Sequence, residues 1–293
     1  DEIKIRNIEK ISIIIPTHNR AAQLEKLLQS IASLHRINSH LEIIVVSNLR
    51  DQNVEQICNR FNLKICLRNF YSNSVGVNIA RNIGLQKSSN NICFFVDDDC
   101  TLETDTWFFE LLKFFENPSV ACVGGLYKPM PNITYSGMLY HIKITSWLLR
   151  YSNPFSFHAR RLVGGCLAIK KSNIDDQNFD ENIKFGGSET QFIVNLLNRN
   201  KLILLNKEIS ILHDYDISLT SFLRKTYLQA VAHHRMNSQD HSTFSEQKRS
   251  YADIENILIK KFARNKREKL FLKLLNKVYS VVFYISSIKK LQF

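Results

Sequence analysis

Short apolar runs rich in β-branched residues alternate with stretches of helical spacing, and this alternation constrains the chain more than any other feature. Ile11–Ile15, Leu41–Val46, Leu63–Leu67, Asn91–Val96 and Val120–Val123 read as strands. Between them, Ala21–Leu34 carries apolar residues at 24, 27, 28, 31 and 34, and Val54–Phe61, Asn78–Gln86 and Trp107–Phe115 are also helical in pattern. Strands that alternate with helices predict an α/β fold, a doubly wound and mostly parallel central sheet with flanking helices.

Beyond Gly125 the pattern is mixed. Tyr135–Tyr151 reads as helix or lid, Leu162–Ile169 as a strand holding a glycine pair, and Thr190–Asn198 as helix. Lys201–Leu205 and Ile209–Leu212 read as strand, and Leu219–His233 as helix. From Ile254 to Ile285, apolar residues at 254, 257, 258, 271, 274, 275, 278, 281, 282 and 285 share helical spacing, with lysines and arginines on the other faces. That is a basic amphipathic segment. The net charge is +12, and from Lys248 to Phe293 twelve lysines and arginines face three acids, so most of the excess lies in this tail.

The six cysteines form no C-x-x-C pair, which argues against a zinc site or disulfide framework and for a reducing compartment. No apolar run reaches membrane-spanning length. Asp1–Arg6 lack the form of a signal peptide, and a chain opening on Asp rather than Met reads as a processed or recombinant piece.

The chemistry gathers in five blocks. Asp97-Asp98-Asp99 follow the apolar strand ending at Val96. Adjacent carboxylates repel one another, and a hard divalent cation relieves this by taking their oxygens. Ligands in open α/β sheets bind outside the carboxyl ends of the strands. A solvated Asp-rich turn capping the next helix is the other reading. Pro16-Thr17-His18-Asn19-Arg20 is a loop between strand and helix, suited to a nucleotide or to a simple cap. Gly76 to Gly84 brings Arg81, a partner for carboxylate or phosphate, or an ordinary surface arginine. Gly164-Gly165, Phe179-Asp180-Glu181 and Gly186 to Gln191 bring glycines for close backbone approach and Glu189 inside a helix start. Ser188 with Gln191 also resembles a capping box. His213 ends a strand, as a metal ligand or a structural histidine.

In this order and spacing, Pro16 to Arg20, Gly76 to Gly84, Asp97 to Asp99, Gly164-Gly165, Phe179 to Glu181, Gly187 to Phe192 and His213 resemble glycosyltransferase family 2, the inverting nucleotide-sugar transferases of GT-A fold. The resemblance covers roughly residues 10 to 235. It implies a GT-A domain over 1–240, with a nucleotide half near 10–125 and an acceptor half near 126–235, and a helical extension over 241–293. It implies that Pro16, Thr17, Asn19 and Arg20 line the nucleotide pocket and that Arg81 lies near the base or diphosphate. Asp97 would contact ribose or metal, Asp99 and His213 would hold Mn2+ or Mg2+, and Glu189 would be the catalytic base. Gly164, Gly165 and Asp98 fall among the donor-binding positions, although Asp98 is the aspartate expected to be replaceable.

Two positions depart from the family pattern. Val45-Val46 lead into Ser47-Asn48 where the family has an acidic pair, so Ser47 or Asn48 would have to substitute. Glu189 is followed by Thr190 rather than an acid. The resemblance implies transfer of a hexose or N-acetylhexosamine from a nucleotide sugar, a UDP-sugar in the first instance, to a glycan, lipid-linked glycan or glycoconjugate in bacterial surface polysaccharide assembly. A binding module without catalysis, a protein or peptide glycosyltransferase, and a nucleotidyltransferase of similar layout are the alternatives. The basic tail suits an anionic membrane surface, or packing on its own domain or a dimer partner, and lacks a nucleic-acid motif. The expected location is the cytoplasm, or the inner face of the membrane.

Overall fold

Ile11–Thr17 forms β1, a strand whose every residue is buried. It runs parallel to β2 (Leu41–Asn48) on one side and to β4 (Ile92–Val96) on the other. Strand β3 (Leu67–Ser72) extends the parallel set beyond β2. Helices α1 (Ala21–Ala32), α2 (Gln52–Asn62) and α3 (Val77–Lys87) make the connections. Helix α3 packs against β1 and β2. Gly84 permits the close approach, because a methyl group there would come within 2.2 Å of Ile14 Cγ2. This computed structural model describes residues 9–131, 133–153, 156–183, 188–215, 217–237 and 251–288.

With β5 (Cys100–Thr101), β6 (Val120–Pro129), β7 (Cys166–Lys170) and β8 (Leu202–His213), the sheet has eight strands in the order β3-β2-β1-β4-β7-β6-β8-β5. Strand β7 is antiparallel to both β4 and β6, and β6 is parallel to β8. The two-residue β5 closes the far edge antiparallel to β8. Helices α4 (Thr106–Phe115), α5 (Tyr135–Arg150), α6 (Ser188–Asn198) and α7 (Leu219–Asn237) complete this part. The mostly parallel α/β sheet is as expected.

Several boundaries differ from the sequence reading. The run Leu63–Leu67 is not a strand. Leu63 closes α2 and is 90% exposed, and Ile65 N–H bonds back to Phe61, so Ile65 seals the turn and β3 starts at Leu67. The glycine pair lies before β7, which begins at Cys166. The two expected strand pieces after Lys201 form one strand, β8, whose register against β6 shifts. Tyr135–Arg150 is helix throughout.

The tail forms α8 (Tyr251–Phe262) and α9 (Lys266–Ile288), which pack on α5 and α7. Leu139, Ile142, Phe222, Ile259, Leu272 and Tyr279 belong to this second core. Lys143 on α5 donates to Glu255 on α8 at 2.8 Å, both buried, and Asn276 on α9 donates to the other Glu255 oxygen at 3.0 Å. The amphipathic reading is corrected in one respect. Helix α9 turns Leu272, Leu275 and Tyr279 inward and leaves Phe271, Leu274, Val278 and Val281 exposed. The expected boundary at 240 and 241 lies outside the described residues. Among the described residues no helix is long and apolar enough to cross a membrane.

Candidate active site

From β1 the chain crosses to β2 and β3 on one side, then returns to β4 on the other. The crevice at such a switch point is where an open α/β sheet accepts ligands. The loops leaving β1 and β4 meet there. Thr17 Oγ1 donates to Asp98 Oδ2 at 2.7 Å, and Arg20 Nη1 reaches Asp98 Oδ1 at 3.0 Å and Asp99 Oδ2 at 2.8 Å. Asn19 is exposed and holds a left-handed φ of 54°, a conformation asparagine tolerates better than most residues. That turn lets α1 begin directly after Arg20. Pro16 is buried inside β1 opposite Val46.

The three aspartates differ in their partners, although Asp98 and Asp99 share Arg20. Tyr127 Oη donates to Asp97 Oδ2 at 2.8 Å and accepts Gly165 N–H at 2.9 Å. Burial, with Asp97 adding to it, pushes the Tyr127 phenol up, so it stays a donor. Asp98 is the most buried of the three, and burial pushes its carboxyl up to about 6 against the opposing pull of Arg20 and Thr17. Asp98, the aspartate expected to be replaceable, braces the two loops through Thr17 and Arg20.

The buried Arg81 guanidinium stands 3.8 Å from Asp97 Oδ1 and 3.8 Å from Glu189 Oε2, between the aspartate cluster and the start of α6. Gly164 and Gly165 lie against this pair. A methyl group at Gly164 would come within 2.2 Å of Arg81 Nη2, and one at Gly165 within 2.1 Å of Asp97 Oδ2. Both glycines are cradles for charged side chains. Helix α3 also fixes the Phe179–Glu181 block. Asn82 Nδ2 donates to Phe179 O at 2.9 Å while its Oδ1 accepts Phe179 N–H at 2.9 Å, and Asn78 Nδ2 donates to Asp180 O at 2.5 Å. Gly186 and Gly187 lie outside the described residues. Gln191 Nε2 donates forward to Asn195 Oδ1 at 2.9 Å, and the Ser188 side chain of the expected capping box lies outside the described residues.

Asp99 meets His213 through sheet pairing. Cys100 lies opposite His213 in the β5–β8 register, and Asp214 N–H donates to Asp99 O at 2.9 Å. His213 Nε2 is 3.4 Å from Asp99 Oδ1. Ligand atoms of Asp99, Cys100 and His213 all fall within 4.8 Å of one another. Among the described residues, buried Asp99 Oδ1 and His213 Nδ1 have no hydrogen-bond partner. A carboxylate oxygen suits Mn2+ or Mg2+ and the imidazole favours Mn2+ of the two, whereas the Cys100 thiol, pushed far up by burial, is a soft ligand that suits neither. Asp97 is not part of this trio.

Ser47 and Asn48 end β2 with their polar groups engaged within the protein. Ser47 Oγ donates to Leu49 O at 2.7 Å, and Asn48 Oδ1 accepts from Ser72 and from Gly76 N–H. Sequence reasoning missed Tyr127, Asn78, Cys100 and Lys225. The Lys225 ammonium lies 5.1 Å from the Tyr140 ring, in an aromatic wall that continues through Tyr215 to His213. Burial lowers its pKa while Asp99, Asp214 and Asp97 raise it. A tyrosine in an apolar strand reads as core, and a lysine on a helix reads as surface, so no sequence signal marked either one.

Fold and site together define a glycosyltransferase scaffold of GT-A type. The chain belongs to glycosyl transferase family 2, whose model matches residues 12–175. It is 30% identical over 120 residues to the glycosyltransferase AglE of Haloferax volcanii, a match spanning 39% of this chain and 38% of that one. It is 31% identical over 101 residues to TarS, a poly(ribitol-phosphate) β-N-acetylglucosaminyltransferase of Staphylococcus aureus, spanning 33% of this chain and 17% of that one. The structure of TarS 1-349 in complex with UDP-GlcNAc matches with a TM-score of 0.55 at 15% identity, over 95% of this chain and 90% of that one. The mannosyltransferase PcManGT from Pyrobaculum calidifontis, solved with GDP-Man and Mn2+, matches with a TM-score of 0.65 at 12% identity, over 96% of this chain and 87% of that one. These likenesses show the GT-A fold. The matches span between 17% and 38% of the length of the two curated relatives.

Proposed function

We propose that this chain is a cation-dependent, inverting glycosyltransferase that moves a sugar from a nucleoside diphosphate donor, a UDP-sugar first of all, to an acceptor hydroxyl. The observation that carries the reading is the meeting of Glu189, Arg81 and the Asp97–Asp99 cluster at the switch point of the sheet. In this reading Glu189 takes the proton of the acceptor hydroxyl as its oxygen attacks the anomeric carbon. The carbon–oxygen bond to the diphosphate breaks on the opposite face, and its electron pair leaves with the phosphate oxygen through an oxocarbenium-like transition state. Arg81 orients Glu189, and Arg20 and Lys225 bring positive charge toward the diphosphate. Tyr127 holds Asp97 in place for the ribose. Asp99 and His213 would hold Mn2+ or Mg2+, which supplies charge neutralisation for the leaving diphosphate. TarS 1-349 with UDP-GlcNAc supports the uridine donor, and PcManGT with Mn2+ supports the cation.

The test is a nucleotide-release screen across UDP- and GDP-sugars with and without Mn2+. Glu189→Gln lowers turnover about 10²–10⁴-fold with donor binding retained, and Asp99→Ala removes the cation dependence. Wild-type turnover in either variant sinks the assignment. The Ser47-Asn48 departure favours a second reading, a donor-binding module without catalysis. Calorimetric donor binding without release on any acceptor would establish it.

A further inference from the structure

Helix α9 carries two apolar faces, and its own domain covers one. Leu272, Leu275 and Tyr279 are buried, while Leu270 (61% exposed), Phe271 (47%), Leu274 (52%), Val278 (46%), Val281 (57%) and Tyr284 (67%) face outward. Six large apolar side chains on one helix exceed the scattered exposure of an ordinary surface. Exposed Lys266, Arg267, Lys273 and Lys277 accompany them. Two of the three described acids of the tail are buried. Glu255 is buried against Lys143, and Glu268 accepts from Arg264 at 2.7 and 3.0 Å. Asp253 on α8 is the one outward acid among the described residues from Tyr251 onward.

We propose that this outward face of α9 docks on an anionic lipid surface, with Leu270, Leu274, Val278 and Val281 entering the interface and the lysines meeting the headgroups. An apolar stripe edged with cations is what such a surface accepts. A second copy of the same face would set like charges against one another. The contact is peripheral, since no described helix spans a bilayer. It stands independently of the proposed sugar chemistry, and its test uses no donor or acceptor.

Co-sedimentation of the full chain with vesicles decides it, phosphatidylcholine alone against phosphatidylcholine with phosphatidylglycerol. Binding to the anionic vesicles only is the expected result, and it weakens as salt rises. Lys273→Gln and Lys277→Gln each weaken binding about fivefold. The Leu274→Ser/Val281→Ser double variant, checked for an unchanged melting profile, loses binding. No binding of the wild-type chain to anionic vesicles overturns the proposal, as does undiminished binding of the double variant. A concentration-dependent dimer abolished by those serines, without vesicle binding, assigns the face to a second copy instead.

Discussion

Tyr127 shows how one side chain can organise a charged site. Its hydroxyl is spent twice, on Asp97 and on the Gly165 amide, and the ring packs 4.4 Å from His213. Tyr127→Phe keeps the packing and strips both bonds. It leaves a buried amide unsatisfied, at a cost of about 1–3 kcal/mol in denaturant unfolding; unchanged stability would show the hydroxyl to be idle. The charged residues Arg20, Arg81, Asp97, Asp99, Glu189 and His213 were legible in sequence because unpaired charge is costly to bury, so clustered charge beside apolar strands stands out. The braces were not. Tyr127 looks like core, and Asp98 looked dispensable because sequence does not reveal that Thr17 and Arg20 converge on it.

The elements carrying the site were legible where their periodicity was strong, as in β1, β2, β4 and α1. Boundaries failed where two kinds of burial look alike. Ile65 is buried by sealing a turn rather than by pairing in a sheet, and β8 keeps its course through the polar Asn206–Glu208 stretch by shifting register. In α9 the spacing identified a helix but not which apolar face the domain would claim, because contacts distant in sequence set that face, among them Asn276 donating to Glu255 beside Lys143. Breaking this buried pair with Glu255→Leu should cost about 3–5 kcal/mol, because Lys143 is left buried without its carboxylate. Adding Lys143→Met should restore much of the loss. Urea unfolding of the two variants reads the difference, and equal stability of single and double variants would disprove the coupling.

At the scale of the whole molecule, the fold makes stability depend on pH through His141. Burial, aided by His213 and Lys261, lowers its pKa to about 4 from the usual 6.5. The folded chain keeps the ring neutral while the unfolded chain takes up a proton, so stability present above pH 6.5 is lost as pH falls toward 4. Between pH 7 and 5 this group accounts for about 2 kcal/mol. His141→Phe should flatten the acid limb of the unfolding midpoint by that amount, and a parallel shift of the whole curve would exclude the role. The α/β architecture was readable because a parallel sheet imprints its connections on the chain; the closure of its far edge was not, because two residues, Cys100 and Thr101, make β5 and leave no pattern. Yet that short strand sets the terms on which the second half of the chain can vary. Insertions in the surface loops between Thr101 and Leu202 can lengthen and reshape the surface, provided that Tyr127, the Gly164-Gly165 pair and Glu189 keep their places and β8 still ends with His213 beside Cys100. One pairing register therefore acts as the hinge of tolerance, and the second half can diversify around an unaltered carboxylate cluster.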